Sequence, residues 1–252
     1  MAGTKDTQRE NQILDILEKN GPTSIHELCQ KLYLSEATMR RALSQLAGKG
    51  LVRRTHGGAE RLKTFTNVGP FGNRISMQAA AKREIAFKAA QLVPDGSIVF
   101  LDQSSTAYHL AEALMEKRDL TVVTNNIEIA RLLSQTSYRV HVSGGQLCST
   151  ARNCMVGEDA HQIFLSICAD FAFFSTRSFS ADGIISDCNR DEINLRNAML
   201  KYAKCKVFLC DSSKFNTSAG YIQCALQDLD VFISEGNAAS AYADAFPNVK
   251  CL

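Results

Sequence analysis

Six short apolar runs, separated by stretches of helical character, constrain this chain more than any other feature. They are Ile98–Leu101, Leu120–Val123, Tyr138–Val142, Phe171–Phe174, Lys206–Cys210 and Val231–Ser234. A run of four or five apolar residues that scarcely alternates with polar ones reads as a strand covered on both faces. Strands that alternate with helices pair in parallel, because only a long crossover brings the chain back in the same direction. From residue 97 onward the sequence therefore predicts an α/β fold with a doubly wound, mostly parallel sheet. A chain of 252 residues has room for that domain and a second, smaller one.

The first 62 residues follow a different regime. In Gln12–Glu18, Ile13, Leu14, Ile16 and Leu17 share one side of a helix that stops at Asn20-Gly21-Pro22. Thr23 or Ser24 caps a second helix with the stripe Ile25, Leu28, Cys29 and Leu32, and Tyr33-Leu34 make a turn. Ser35 is the N-cap of a third helix, with Glu36 in its first turn suiting the helix dipole and Gly48 and Gly50 ending it. Two β-prone pieces flank His56-Gly57-Gly58. Three helices and a hairpin predict a winged helix-turn-helix over residues 5–62, followed by a linker over 63–75 that contains Gly69-Pro70 and Gly72. The α/β domain then covers 76–252, its first helix running from Ser76 to about Leu92 with Ile85, Phe87 and Ala89 buried.

At about 100° per residue the third helix divides cleanly. Met39, Leu43 and Leu46 fall on one face and anchor it, with Ala42 nearer the inner side. Thr38, Arg41 and Gln45 fall on the opposite face with Ala37 and Ser44, and Arg40 lies on the flank. In a major groove the outward face reads base edges and the flank reaches phosphates, so Thr38, Arg41 and Gln45 are expected on bases and Arg40 on the backbone. The hairpin adds Arg53, Arg54 and His56, while Gly57 and Gly58 permit a tight turn and a close approach to phosphate. Charge agrees with this division. Residues 1–63 hold 11 Lys/Arg against 7 Asp/Glu, and the remainder 17 against 19, so the basic part is the part expected to meet a polyanion.

Polar residues gather where the strands of the α/β domain end, and ligands of such sheets bind at the carboxyl ends of strands. Asp102-Gln-Ser104-Ser105-Thr106 leaves the first strand, Thr124-Asn125 the second, Ser143-Gly144-Gly145 the third, and Asp211-Ser-Ser213-Lys214 the strand ending near Leu209. Hydroxyls and free N–H groups at a helix N-terminus cradle an anion, a lysine adds charge, and carboxylate and amide groups suit hydroxyls. The expected ligand is small, polar and anionic. The nine cysteines show no C-x-x-C, and no histidine stands at ligand spacing from Cys148/Cys154 or Cys205/Cys210, so buried free thiols and no metal site are expected. The polar segment 1–9 does not resemble a signal peptide, and no run approaches a membrane span, so a cytoplasmic protein is expected.

Two motif sets at fixed separation carry a resemblance. Ser35-Glu-Ala-Thr38-Met39-Arg40-Arg41-Ala42-Leu43 followed by Leu51-Val-Arg53-Arg54-Thr-His56-Gly57-Gly58-Ala59 resembles the DeoR family of bacterial transcriptional regulators. Where that family has Asp, this chain has Ala42. The strand-end residues Asp102, Ser104, Ser105, Thr106, Thr124, Asn125, Gly144, Gly145, Asp211 and Lys214 match the same family's C-terminal domain, with Ser104 replacing a glycine. That domain is similar in fold to ribose-5-phosphate isomerases. Phe174-Ser-Thr176 through Gly183 corresponds to a segment covering the pocket. The resemblance implies a regulator, usually a repressor, acting on double-stranded operator DNA and released by a phosphorylated sugar, with no other cofactor; because a helix-turn-helix reads paired half-sites, a homodimer or homotetramer is expected. The alternative is a sugar-phosphate isomerase-like enzyme with an appended DNA-binding domain, using Asp102 and Lys214 in acid–base roles.

Overall fold

The computed structural model describes residues 9–10, 12–17, 20–48, 52–55, 57–61, 71–149 and 151–252. The chain divides into two compact units, Met1–Phe65 and Thr66–Leu252.

In the first unit, α1 (residues 12–17) buries Ile13 and Leu17 fully and half-buries Leu14 and Ile16. A two-residue strand β1 (Thr23–Ser24) leads into α2 (Ile25–Leu32). Ser24 caps α2 reciprocally: its Oγ accepts the Glu27 N–H at 3.2 Å, and Glu27 accepts the Ser24 N–H at 3.1 Å. These hydrogen bonds hold the Glu27 carboxyl below its usual range. Tyr33, at φ 53°, ends α2 in the left-handed conformation. Ser35 then accepts the Thr38 N–H at 3.3 Å, opening α3 (Glu36–Gly48). Met39, Leu43 and Leu46 pack with Ile13, Leu17, Ile25 and Leu28. Strands β2 (Val52–Thr55) and β3 (Gly58–Arg61) form the hairpin, and β1 pairs with β3 to give the order β1-β3-β2.

That third strand corrects the reading of Gly58. Its α-hydrogen faces the Thr23 carbonyl so closely that a Cβ there would collide with backbone, so this glycine admits β1 rather than a phosphate. Gly57, at φ +83°, makes the turn, with open space around it.

The second unit begins with α4 (Phe71–Ser76), where linker and the start of a longer helix were expected; residues 62–70 lie outside the described residues. Ser76 ends this helix rather than capping the next. Gln78, at φ 52°, separates it from α5 (Ala79–Gln91), and the Lys82 ammonium donates to the Arg74 and Met77 carbonyls at 2.5 and 2.6 Å. Carbonyls at a helix end have no partner within the helix, so a lysine there stabilises the break. On α5, Ile85, Ala86, Ala89 and Ala90 are buried, whereas Phe87, expected inside, is 64% exposed because it lies two positions round the helix from Ile85.

Alternation follows: β4 (Ile98–Leu101), α6 (Ser105–Leu114), β5 (Thr121–Thr124), α7 (Ile127–Leu133), β6 (Arg139–Val142), the hairpin β7 (Gln146–Leu147) and β8 (Met155–Val156), α8 (Glu158–Leu165), β9 (Ala169–Phe174), β10 (Ser178–Phe179), β11 (Ile184–Asp187), α9 (Arg190–Lys201), β12 (Ala203–Leu209), β13 (Tyr221–Ala225), β14 (Val231–Ile233) and β15 (Lys250–Cys251). Seven strands form a parallel sheet in the order β15-β14-β12-β9-β4-β5-β6. Side chains along each run go alternately to two cores. Val99, Leu101, Val122, Phe173, Val207 and Leu209 meet α5, α6 and α7; Phe100, Val123, Phe174, Phe208 and Phe232 meet α8 and α9. In the inner strands the apolar runs are continuous because both faces are covered, whereas the edge strand β6 alternates and buries none of its residues. From β4 the chain winds towards β6, and from β9 towards β15, so the crevice at the carboxyl ends of β4 and β9 is the topological switch point.

A small antiparallel sheet, β10-β11-β13, lies beside this crevice and was not foreseen. Phe179 of β10 fastens it to the main core, its ring 5.1 Å from Phe232, 5.6 Å from Phe208 and 4.8 Å from Tyr242. Such ring pairs contribute about 0.5–1.5 kcal/mol each beyond area burial.

Candidate functional site

On the first unit, the outer side of α3 carries Arg41, Ser44 and Gln45 exposed and Thr38 half-exposed, away from the core formed by Met39, Leu43 and Leu46. Arg40 pairs with Glu36 at 3.1 Å, both side chains 57% exposed, a pairing weak enough to be exchanged for a phosphate. The Ser44 hydroxyl donates to the Arg40 carbonyl at 2.8 Å and accepts from Arg54 Nη1 at 3.2 Å. Arg54 of the wing is thereby held against the outward face of α3, a link that the sequence reading missed because it assigned Ser44 no role. Ser35 acts locally, capping α3 and bonding the Thr38 hydroxyl at 2.9 Å. His56 and the Arg53 side chain lie outside the described residues. A helix with a solvent-facing arginine, amide and hydroxyl, joined to a basic wing, has the donors that read base edges and the cations that neutralise phosphates.

On the second unit, a cavity of about 120 Å³ opens where β4, β9 and β12 end. Ser104, Ser105 and Thr106 enter from β4 and the start of α6, Ser175, Thr176 and Arg177 from β9, and Asp211, Ser213 and Lys214 from β12. Helices α4 and α5 add Arg74 and Lys82, and α9 adds Glu192 and Arg196. Arg74, Lys82, Arg177, Arg196 and Lys214 face the carboxylates of Asp187, Glu192 and Asp211, so cations outnumber anions along the wall.

The floor is a buried ionic cluster. Arg196, 2% exposed, reaches Asp102 at 3.0 Å, Asp187 at 2.9 Å and Glu192 at 3.3 Å. Burial pushes the Glu192 carboxyl up against the pull of Arg196. Asp102 also accepts the Ser104 N–H at 3.0 Å and the Ser175 N–H at 3.2 Å, so it ties together the ends of β4 and β9 and α9. Its carboxylate is consumed in this framework and does not line the cavity, a different position from the ligand-facing one expected.

Four more strand-end residues lie off the cavity wall. The Thr124 hydroxyl accepts the Asn126 N–H at 3.0 Å. Asn125 donates to the Met155 carbonyl at 3.0 Å and to Gln103 at 3.4 Å, behind the wall. Gly145, at φ +103°, lies against the Val156 carbonyl and Ala160, and with Gly144 follows the edge strand β6, away from the crevice. Ser104 caps α6 by accepting the Ala107 N–H at 3.0 Å, and its neighbour Thr106 is buried with its hydroxyl lacking a partner among the described residues. The N-terminal end of α6, which carries partial positive charge, thus meets the cavity.

Lys214 bridges Asp211 at 3.1 Å and the Ser175 hydroxyl at 3.0 Å. Burial raises the Asp211 carboxyl, but Lys214 and Ser213 outweigh it and leave it below the usual range. Burial, reinforced by the charge of Lys214, draws the Lys82 ammonium down to about 8. Arg74 donates to Asn153 at 3.1 Å and lies over the Phe71 ring at 5.1 Å. Sequence reasoning missed Arg74, Lys82, Gln103, Arg177, Glu192 and Arg196. The one signal available for them was the i,i+4 spacing of Glu192 and Arg196 on α9. The wall as a whole suits a small dianion that also carries hydroxyls.

The DeoR-like helix-turn-helix domain family matches residues 9–65, and the DeoR C-terminal sensor domain family matches residues 77–236. The chain is 29% identical over 249 residues to the glycerol-3-phosphate regulon repressor of Escherichia coli (strain K12), spanning 98% of this chain and 94% of that protein. It is 31% identical to the HTH-type transcriptional repressor CsqR of the same organism, spanning 84% and 80%. To the L-fucose operon activator of Haemophilus influenzae it is 34% identical, spanning 84% of each. Among solved structures, ribose 5-phosphate isomerase A from Methanocaldococcus jannaschii aligns with 53% of each chain at 18% identity and a TM-score of 0.39. The β subunit of eIF2B from Chaetomium thermophilum aligns with 96% of this chain and 84% of its own at 14% identity and a TM-score of 0.47.

Proposed function

The chain belongs to the DeoR family of transcriptional regulators, binding DNA through its helix-turn-helix, and from that premise we propose that the cavity at the ends of β4, β9 and β12 takes a phosphorylated sugar or polyol that changes operator affinity. One observation carries the reading: five basic side chains and the N-terminal end of α6 converge on a cavity whose remaining polar groups are hydroxyls, carboxylates and the amides of Gln78 and Gln103. Phosphate belongs near α6, Lys82 and Lys214; the ligand's hydroxyls belong near Asp187, Glu192 and Thr176. No other cofactor enters this scheme. The isomerase alternative loses its base, because Asp102 is locked to Arg196 and two backbone N–H groups, and the curated relatives quoted are regulators of transcription.

The working unit in this proposal is a cytoplasmic homodimer or homotetramer, since paired helix-turn-helix units read half-sites about one helical turn apart. Ligand binding shifts the balance between arrangements of differing operator affinity, and the difference in ligand affinity for those arrangements supplies the coupling. Relatives named as repressors and as an activator leave either sign of regulation compatible with this coupling. A thermal-shift panel of triose, pentose and hexose phosphates and glycerol 3-phosphate, followed by operator titration with each stabilising compound, tests the scheme. A compound that stabilises the protein and alters operator affinity is expected. Stabilisation by none, or by non-phosphorylated sugars alone, overturns it.

A further inference from the structure

A second constellation stands behind the cavity wall, formed by two cysteines that the regulatory scheme does not use and by Glu192, whose carboxylate also reaches the cavity. The register of the β7–β8 hairpin pairs Gln146 with Val156 and Leu147 with Met155, so the next facing pair is Cys148 and Cys154. The Cys148 N–H donates to the Cys154 carbonyl at 2.9 Å, extending the ladder by one step. Facing residues on antiparallel strands send their side chains to the same side. The Cys154 thiol donates to the Ala151 carbonyl at 3.3 Å. Glu192, in the first turn of α9, arrives at the same place, and its carboxylate and the two sulfurs offer donor atoms that all lie within 4.8 Å of one another. All three residues are buried.

An independent observation points to a missing partner. Glu192 Oε2 accepts from Gln103 at 2.7 Å and contacts Arg196 at 3.3 Å, but Oε1 is buried with no hydrogen-bond partner among the described residues. An unsatisfied buried carboxylate oxygen is costly, and a site that leaves one in place invites a cation or an ion-bound water. The nearest ion pairs leave negative charge to spare: Arg196 is set against three carboxylates, Asp102, Asp187 and Glu192, and Arg74 is the other cation acting on both Glu192 and Cys154. The surroundings also suit coordinated sulfur, because Asn189, the N-cap of α9, donates its amide to Cys148 Sγ at 3.4 Å. Donors of this kind orient metal-bound thiolates.

We propose that Cys148, Cys154 and Glu192 bind a thiophilic divalent cation, zinc by preference, with water in the fourth position. On binding, each sulfur donates a lone pair to the metal and releases its proton to solvent, Glu192 Oε1 supplies the third bond, and no oxidation state changes. Zinc lies about 2.3 Å from sulfur and about 2.1 Å from carboxylate oxygen, so tetrahedral ligands sit roughly 3.5–3.8 Å apart and this group need contract by only about an ångström. Two sulfurs and one oxygen favour zinc over magnesium or calcium, which take oxygen ligands. The site is separate from the cavity but shares Glu192 with its wall, so the metal fixes the carboxylate that holds Gln103 and Arg196.

Cobalt(II) titration of the full-length, fully reduced protein tests the proposal. One cobalt per chain is expected, with a thiolate-to-cobalt charge-transfer band and the intense visible bands of a tetrahedral site, both displaced by zinc. Cys148→Ser and Cys154→Ser are each expected to abolish the band and weaken zinc binding at least about tenfold, while Cys168→Ser, at an exposed cysteine, leaves both unchanged. X-ray absorption at the zinc edge on the unmutated protein needs no variant to fold, and should show two sulfur and two lighter ligands. Four sulfurs, no sulfur, or a band that survives in the folded Cys148→Ser protein overturns the proposal. So does failure to bind, including the case where the two thiols simply pair as a disulfide in air.

Discussion

The two units use arginine in opposite ways. On α3, Arg40 and Arg41 stand in water, where ion pairs contribute little and the guanidinium is free to exchange partners. On α9, Arg196 is shut away from water and held by three carboxylates, and there its removal would leave charges that neither water nor another group neutralises. The same residue type therefore serves recognition in one unit and architecture in the other, and exposure decides which. Substituting the outer arginines should alter binding without altering stability. Substituting the inner one should do both.

The sharpest break of that contrast is Arg196→Met. Leaving Asp102, Asp187 and Glu192 without their cation should cost about 3–5 kcal/mol of unfolding free energy, read as a fall in the urea midpoint. An unchanged midpoint would mean that the cluster contributes nothing to the fold. Next in size is Lys214→Ala. Its loss removes a charge-assisted contact to a bound phosphate worth about 1.5–3 kcal/mol, so calorimetry should show ligand affinity lowered by more than tenfold while operator affinity without ligand is retained. Normal ligand response in that variant would remove Lys214 from the site. On the outer side, Arg41→Ala should weaken operator binding by about 1–3 kcal/mol and leave the urea midpoint within error of the parent. Anisotropy titrations on operator and on scrambled DNA distinguish a lost base contact, which narrows the gap between the two, from a lost phosphate contact, which weakens both equally.

The helix-turn-helix unit was more legible in the sequence than the cavity of the α/β unit, and the reason is periodicity. A helix with one wet face announces that face, so Met39, Leu43 and Leu46 could be placed inward and Arg41 outward from spacing alone. The parallel sheet was legible for the same reason, since doubly covered strands form continuous apolar runs. The ends of β4 and β12 were legible because hydroxyls and charges interrupt those runs. Other site residues had no such signature. Arg196 and Glu192 sit in a strongly polar stretch, Arg190–Lys201, that reads as a solvated helix, and nothing local reveals that its charged side turns inward to meet Asp102, distant in sequence. Arg74 lies in α4, a helix of six residues whose pattern looked like linker. Gly58 looked like a phosphate cradle because β1 is two residues long, too short to register as a strand. Cys148 and Cys154 face each other only once the hairpin exists.

The smallest of these effects separates the two kinds of cation by pH. Lys82 is 5% exposed, and burial together with Lys214 brings its ammonium down to about 8, within reach of ordinary buffers. A bound phosphate dianion favours the charged lysine and raises its pKa in the complex, so binding takes up a fraction of a proton near pH 8. Affinity is therefore full below about pH 8 and falls above it, by no more than about tenfold (about 1.4 kcal/mol) per pH unit, until the pKa of the complex is passed. Below about pH 6 the phosphate itself becomes a monoanion and affinity declines again. Calorimetry from pH 7 to 9.5 in buffers of different ionisation enthalpy reads both the slope and the proton uptake. Lys82→Met should flatten the alkaline limb, and operator binding measured without ligand should show no such limb. If the limb persists in Lys82→Met, the proton belongs to another group and Lys82 serves chiefly to close the end of α4 through the Arg74 and Met77 carbonyls.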